Sequence, residues 1–491
     1  MNFLGEFYMI VIGIDVGTQG IRTIAVNENG KKICIAHEEL QPSMSSNSGW
    51  KEQNPGDWKR VFRTCFKKLV EGIKSQGHSL SEVMAISVDG TSGTILPVDK
   101  EKKPLMNAIM YNDSRAGQET GKIKAIAAGF SDKVGYSFNS SFALPKILWI
   151  KENLPEVYQN TWKFIHQTDF IIGLLTGIYD ITDHSNALKT GFDLVDYKWP
   201  ESIIEKLDLD MGKFSQVVRP GDKISNISRD FAGESGLSAD TIVVAGMTDG
   251  CAGQVASGAV KEGTWNSILG TTLVVKGITK NLIKDRQGRI YSHLHPEGFW
   301  MPGGASNTGG ECLEKVFPDI DYKEWDLKAE RYFPTNLIVY PLVKKGERFP
   351  FIRPEAEGFI DGKPKDEVEL YAGYIEGVGL FERLCYDTLS DLGATVSDEI
   401  YVTGGGTKSR IWMKLRASIL NKTLLMPEIS DPCMGSAVMA ASKTIYNNVM
   451  EAAANMVKPG EIIAPVPEFV KIYEQKYGDF RNLMRRKGYI D

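Results

Sequence analysis

No stretch of this 491-residue sequence carries the paired cysteines of a disulfide framework or a zinc site. Its six cysteines, Cys34, Cys65, Cys251, Cys312, Cys385 and Cys433, lie far apart, and none forms a C-x-x-C pair. Free, buried thiols in a reducing cytoplasm are therefore expected. Histidine is as sparse. Of six, only His293 and His295 are close together, and with no cysteine beside them they make a poor structural metal site. No apolar run approaches the roughly 18 residues of a membrane span. No Lys/Arg block is long enough for a nucleic-acid footprint, and the net charge is −5. The opening MNFLGEFYMIVIG lacks the charged n-region and small-residue cleavage site of a signal peptide. Met9 is a second candidate start, with the first eight residues as an extension.

What is present is ordinary for a large soluble protein of two or three domains: 42% hydrophobic and 24% charged residues. Strand-like and helix-like runs alternate, which argues an α/β fold. In NPGDWKRVFRTCFKKLVEGIKSQG, Asn54 suits the cap and Pro55 the first helical position. Trp58, Val61, Phe62, Cys65, Phe66, Leu69, Val70 and Ile73 keep one apolar face. VMAISV reads as a buried strand, and PKILWIKENLPEVYQN as a helix. LYAGYIEGVGLFERLCYDTLSDLG and GSAVMAASKTIYNN read as helices rich in small residues, made for close packing.

VIGIDVGTQGIRTIAV interrupts good strand formers with Asp15, Gly17, Thr18, Gln19 and Gly20, more than a two-residue hairpin turn needs. TWNSILGTTLVVKGI repeats the plan of strand, Gly-Thr turn and strand about 250 residues later. Two such turns, in two related halves, would make a phosphate clamp of backbone N–H groups and hydroxyls. From the residues alone, each is equally an ordinary polar hairpin. AGMTDGCAG sets Asp249 after an apolar strand, as a helix cap or as a general base. YVTGGGTKSR is not a Walker A loop, because Thr407 and not glycine precedes Lys408. Its three glycines instead permit close approach to a planar ring or a sugar. GGASNTGG reads as a loop at a cleft.

In order, GIDVGTQGIRTIAV, SVDGTSGT, YNDSRA, TDHSNALKTGF, AGMTDGCAGQVASGA, SILGTTLVV, GGASNTGG and VTGGGTKSRIWMKLRASIL resemble the motifs of the FGGY carbohydrate kinases. The resemblance implies two ribonuclease-H-like, actin-like domains with a cleft between them. Residues 9–253 would form the sugar-binding domain and 254–491 the ATP-binding domain, with a hinge near 252–262. It implies ATP and Mg²⁺ as cofactors. Asp249 would be the general base, and Asp15 would sit by the metal and the transferring phosphoryl group. Gly17, Thr18, Gln19 and Arg22 would form one phosphate loop, and Gly270, Thr271 and Thr272 the other. Gly404, Gly405, Gly406 and Ser409 would hold the adenosine. Asp15, Asp89, Thr91, Ser92, Asn112, Asp113 and Asp249 would line the sugar pocket.

DGTSGT departs from the Gly-Gln-x-His-Gly element of xylulokinases. With SNALK, YSH, GGASN and GERFP it looks more like the plant and cyanobacterial type D-ribulose kinases of the family. Short hydroxyls without a cation disfavour an aldonate and suit a ketopentose, D-ribulose before D-xylulose. Kinases for gluconate or glycerol are the alternatives, as is a sugar-sensing or actin-like ATPase relative. The expected partner is a small sugar, with neither nucleic acid nor membrane, in a cytoplasmic protein compatible with a homodimer.

Overall fold

The computed structural model describes residues 8–42 and 49–491. All but the last residue of the N-terminal extension lies outside them. The chain divides into two compact units. The first comprises Met1–Gly258, His293–Gly298 and Asp431–Lys458; the second comprises Ala259–Ser292, Phe299–Ser430 and Pro459–Asp491.

In the first unit the main sheet is built of β1 (Ile10–Val16), β2 (Gly20–Asn27), β3 (Lys32–Glu39), β4 (Val83–Gly90), β5 (Lys223–Asn226), β6 (Ile242–Val244) and β7 (Met247–Thr248). They lie in the order β5-β6-β4-β1-β2-β3, with β7 also against β4. β1, β2 and β3 are antiparallel, while β1, β6 and β7 run parallel to β4. The Pro55–Ser75 helix is capped by the Asn54 side chain and buries all eight residues of its expected apolar face. PKILWIKENLPEVYQN forms two helices rather than one, Ala143–Asn153 and Pro155–Asn160. Pro155 lacks an N–H and disfavours helical backbone at Leu154, so the chain restarts there.

In the second unit β8 (Trp265–Leu269), β9 (Leu273–Gly277), β10 (Trp300–Ala305), β11 (Glu399–Thr403), β12 (Thr423–Pro427) and β13 (Pro459–Ile463) lie in the order β10-β9-β8-β11-β12-β13. β8 pairs antiparallel with β9 and parallel with β11, and β11 runs parallel to β12. This is the plan of the first unit's sheet, with β1, β2, β3, β4 and β6 answered by β8, β9, β10, β11 and β12. The echo between the two Gly-Thr hairpins is thus an echo of whole sheets. The long Glu367–Asp391 helix is tied to the Arg410–Leu420 helix by a wholly buried ion pair, with Arg416 Nε and Nη2 at 2.7 and 2.9 Å from the Glu382 carboxylate. The first half of GGASNTGG departs from the loop reading: Gly303, Gly304 and Ala305 lie within β10.

The division expected at 253/254 needs correction. Ala252, Val255 and Ala256 are fully buried within one helix, Asp249–Ser257, which ends at Gly258 with φ +90°. The small residues there are a packing face and not a linker. Their partner is the Pro432–Ala441 helix, which belongs to the first unit although it comes late in the chain. A Cβ on Gly435 would lie 1.9 Å from the Ala252 carbonyl oxygen, and one on Gly13 would lie 1.8 Å from that of Cys433. The late helix is therefore wedged at backbone contact between β1 and the Asp249–Ser257 helix.

These contacts predict opposite outcomes for two glycine-to-alanine changes. Gly435→Ala meets backbone that cannot step aside and should lower stability by about 1–3 kcal/mol, despite alanine's better helix propensity. Gly253→Ala has nothing within 4 Å of its new methyl group and should be neutral or stabilising by up to about 1 kcal/mol. Urea midpoints of both variants check this; equal midpoints would contradict the wedge.

Candidate active site

Strand register builds the first half of the site. Parallel pairing sets Asp15 opposite Asp89, and β7 sets Met247 opposite Asp89 and Thr248 opposite Gly90. Asp249 follows as the first residue of its helix. Three carboxylates thus stand at the carboxyl ends of three parallel strands, the edge at which open α/β sheets take ligands. Asp89 is fully buried, and Asp15 nearly so. Burial raises the pKa of Asp89 well above the ordinary carboxylate range, and the neighbouring Asp15 charge adds to the effect. Burial raises Asp15 as well, against the pull of a hydrogen bond with Asp89 and the charge of Arg22. Such a pair shares a proton. Asp89 Oδ2 accepts from Ser436 Oγ at 2.5 Å, while its Oδ1 has no hydrogen-bond partner among the described residues. Ser436 lies on the wedged late helix and had no role in the sequence reading.

The first Gly-Thr turn closes with Gly17 N–H on the Gly20 carbonyl, 3.0 Å. The Thr18 carbonyl accepts from Gln53 Nε2 at 2.7 Å, and that of Gln19 accepts from Leu40 N–H at 2.8 Å. Gly20 must be glycine, because a Cβ would meet the Glu38 carbonyl and His37 at 2.6 Å. Gly17 meets nothing closer than 3.5 Å, so its place is open to a ligand. Arg22 reaches Asp431 at 2.8 Å, both half-exposed.

The DGTSGT loop is braced from below by residues to which the sequence assigned no role at the site. Gln167 Oε1 accepts from Thr91 N–H (3.1 Å) and Thr91 Oγ1 (2.7 Å). His166 bridges the Thr94 carbonyl and Thr190 Oγ1, and burial lowers its pKa to about 4, which keeps it neutral. Gly93 has φ +90°, and a Cβ there would lie 2.3 Å from the Ser141 carbonyl. Lys146, wholly buried, donates to the Gly93 carbonyl at 2.9 Å. Under the Asp249 turn, Thr248 N–H donates to Ser185 Oγ, Ser185 Oγ donates to Asp183, and Asn186 Nδ2 donates to Asp183 Oδ2 at 2.6 Å. The signal in the sequence was a dense run of polar residues, HQTDF and TDHSN, at positions that the fold buries.

Two expected sugar ligands are used otherwise. Thr91 spends its hydroxyl proton on Gln167 Oε1 beneath the loop. Asp113 has both oxygens committed to Lys51 N–H, Arg115 N–H and the Arg115 guanidinium, at 2.5–2.9 Å. It holds Arg115 against the Trp50 ring, 3.9 Å from its centroid, and beside Glu52. Asp113 is therefore a brace. Ser92 keeps a buried hydroxyl with no protein partner, and Asn112 is exposed on the loop before Asp113.

In the second unit, one cavity of about 720 Å³ brings together Gly270, Thr271, Gly405, Gly406 and Ser409. Gly404 serves the turn instead: its φ is +91°, and a Cβ would lie 2.5 Å from the Leu269 carbonyl. Ser409 Oγ caps the Arg410–Leu420 helix by accepting from Trp412 N–H. Thr272 packs on the Gly309 backbone, so close that a Cβ on Gly309 would lie 2.4 Å from its Cα. Glu347, which the sequence offered only as part of the GERFP marker, fixes this neighbourhood by accepting from Asn307 N–H (2.6 Å), Thr308 Oγ1 (2.8 Å) and Tyr340 OH (3.2 Å). Among the described residues, no group of three or more His, Cys, Asp or Glu side chains is arranged to hold a metal by itself, and no helix is long and apolar enough to cross a membrane.

Comparison with known proteins covers the whole of this architecture. Residues 10–256 match the N-terminal domain of the FGGY family of carbohydrate kinases, and residues 265–444 match its C-terminal domain. The chain is 25% identical to a xylulose kinase of Bacillus subtilis, with 96% of each chain covered. It is 25% identical to a ribulokinase of Geobacillus thermodenitrificans, covering 98% of this chain and 94% of that one. The solved xylulose kinase of Rhodospirillum rubrum superposes with a TM-score of 0.86 at 23% identity, covering 97% and 98% of the two chains.

The brace beneath the loop predicts a pH effect. Burial lowers Lys146 from 10.5 to about 7. Between those values the unfolded chain binds the proton that the folded chain has released, so this group's penalty on stability falls as pH rises. The stability of wild type minus that of Lys146→Met should therefore climb from pH 7 towards pH 10. Denaturation at several pH values checks it, and a constant difference would contradict it.

Proposed function

Because the chain belongs to the FGGY family of carbohydrate kinases, we propose that it transfers the γ-phosphoryl group of ATP to the terminal hydroxyl of a ketopentose, D-ribulose before D-xylulose. The family makes it a sugar kinase; the sugar and the residue roles are the proposal. The observation that carries it is the meeting of Asp15, Asp89 and Asp249 at adjoining strand ends, beside a loop of short hydroxyls.

Asp249 accepts the proton of the terminal hydroxyl as its oxygen attacks phosphorus. Asp89, Ser92 and Asn112 orient the sugar. Gly17, Thr18, Gln19 and Arg22 of the first unit, and Gly270, Thr271 and Thr272 of the second, donate to phosphate oxygens. Gly404, Gly405, Gly406 and Ser409 shape the adenosine end. Asp15 would hold Mg²⁺, and the unpartnered Asp89 Oδ1 beside it supports the fit, since a hard cation with few protein carboxylates is how Mg²⁺ binds phosphates. When bound it neutralises phosphate charge. A pocket with three carboxylates repels an aldonate, and neutral hydroxyls suit a polyhydroxy ketone.

Asp249→Asn keeps the shape and removes the base. Turnover should fall at least about 100-fold with little change in sugar affinity; near-normal turnover would make Asp249 a cap only. Across D-ribulose, D-xylulose, L-ribulose, glycerol and gluconate, kcat/KM should be highest for D-ribulose. A win for glycerol or gluconate would overturn the pocket reading, and a win for D-xylulose only the order of the two pentuloses.

A further inference from the structure

The cavity of the second unit has a part that the phosphate turn and the glycines do not account for. Trp412, Ile320 and Tyr322 line it with apolar and aromatic surface, and Asp326 joins them from the Tyr322–Ala329 helix. Asp326 is 9% exposed. Its Oδ1 accepts from Tyr371 OH at 2.7 Å, and among the described residues none donates to its Oδ2. The Tyr371 hydroxyl is firmly neutral, because burial raises its pKa and the neighbouring Asp326 raises it further. Its proton is therefore committed to Oδ1, and the carboxylate offers the cavity Oδ2 as an acceptor and no donor.

We infer that Asp326 selects the nucleobase: Oδ2 accepts from the exocyclic amine at C6 of a purine, so that ATP is used and ITP is refused. This rests on the kinase reading above. Adenine presents an N–H₂ donor at C6, whereas hypoxanthine presents a carbonyl there, acceptor against acceptor. Guanine has the same carbonyl at C6 and meets Oδ2 there as acceptor against acceptor. A site built around one polar group discriminates strongly, because the wrong ligand leaves that group desolvated and unpaired. Asp326 thus completes a pocket whose apolar wall would accept any purine ring.

The experiment compares kcat/KM for ATP, ITP and GTP, and in parallel the calorimetric affinities for ADP and IDP, in wild type and in Asp326→Asn. Wild type should favour ATP over ITP by on the order of 100-fold. In Asp326→Asn the side-chain amide can turn to donate to the C6 carbonyl, so the ATP/ITP ratio should fall at least about tenfold, chiefly through KM. Equal use of ATP and ITP by wild type, or an unchanged ratio in the variant, would overturn the inference; the wild-type ratio decides even if the variant fails to fold. If no nucleotide supports sugar phosphorylation but ADP still binds more tightly than IDP, the inference stands and the kinase reading falls.

Discussion

The register between β1 and β4 is the constraint on which the site depends. It sets Asp15 directly beside Asp89, and a slip of one residue would turn one of the two to the other face of the sheet. Two carboxyls in that position repel and lose hydration, and burial raises both. The arrangement stands because the surroundings hold it. The Pro432–Ala441 helix reaches the strands at backbone contact through Gly13 and Gly435, and Ser436 on it donates to Asp89. The same contact fixes the Asp249–Ser257 helix against the sheet. One late segment of chain therefore sets the spacing of the carboxylates.

The two units apply one plan to different chemistry. In each, a Gly-Thr turn joins the first two strands and a parallel strand enters beside the first. In the first unit that parallel strand leads into a loop of hydroxyls and a buried polar scaffold, suited to a polyhydroxy ligand. In the second it leads into three glycines and a cavity with an aromatic wall, suited to a flat ring. The strand ends supply position, and the loops after them supply specificity.

What was legible in the sequence follows from range. The Pro55–Ser75 helix was readable to the residue, since its cap, its proline and its apolar face are local features. Both Gly-Thr hairpins were readable for the same reason, and so was the placing of Asp249 at a strand-to-helix turn. The motif resemblance supplied the architecture and the family, which the comparisons support. Other features depend on partners far away in the chain. Small residues in GSAVMAASKTIYNN announce close packing but not the partner, so the return of this helix to the first unit was missed, and with it Ser436. Asp113 looked like a pocket carboxylate because its bond from Lys51 N–H, and the Glu52 and Trp50 that pin its neighbour Arg115, arrive only when residues 49–53 are folded beside it. Gln167, His166 and Lys146 are polar residues that only the fold reveals as buried.

The central claim is that these carboxylates direct phosphoryl transfer to a terminal sugar hydroxyl. Phosphorus NMR of the purified protein with ATP, Mg²⁺ and D-ribulose tests it most directly. The account predicts ADP and a phosphomonoester coupled to a terminal CH₂ group, formed in equal amounts and only when the sugar is present. ADP accompanied by inorganic phosphate, or formed equally well without sugar, would contradict it.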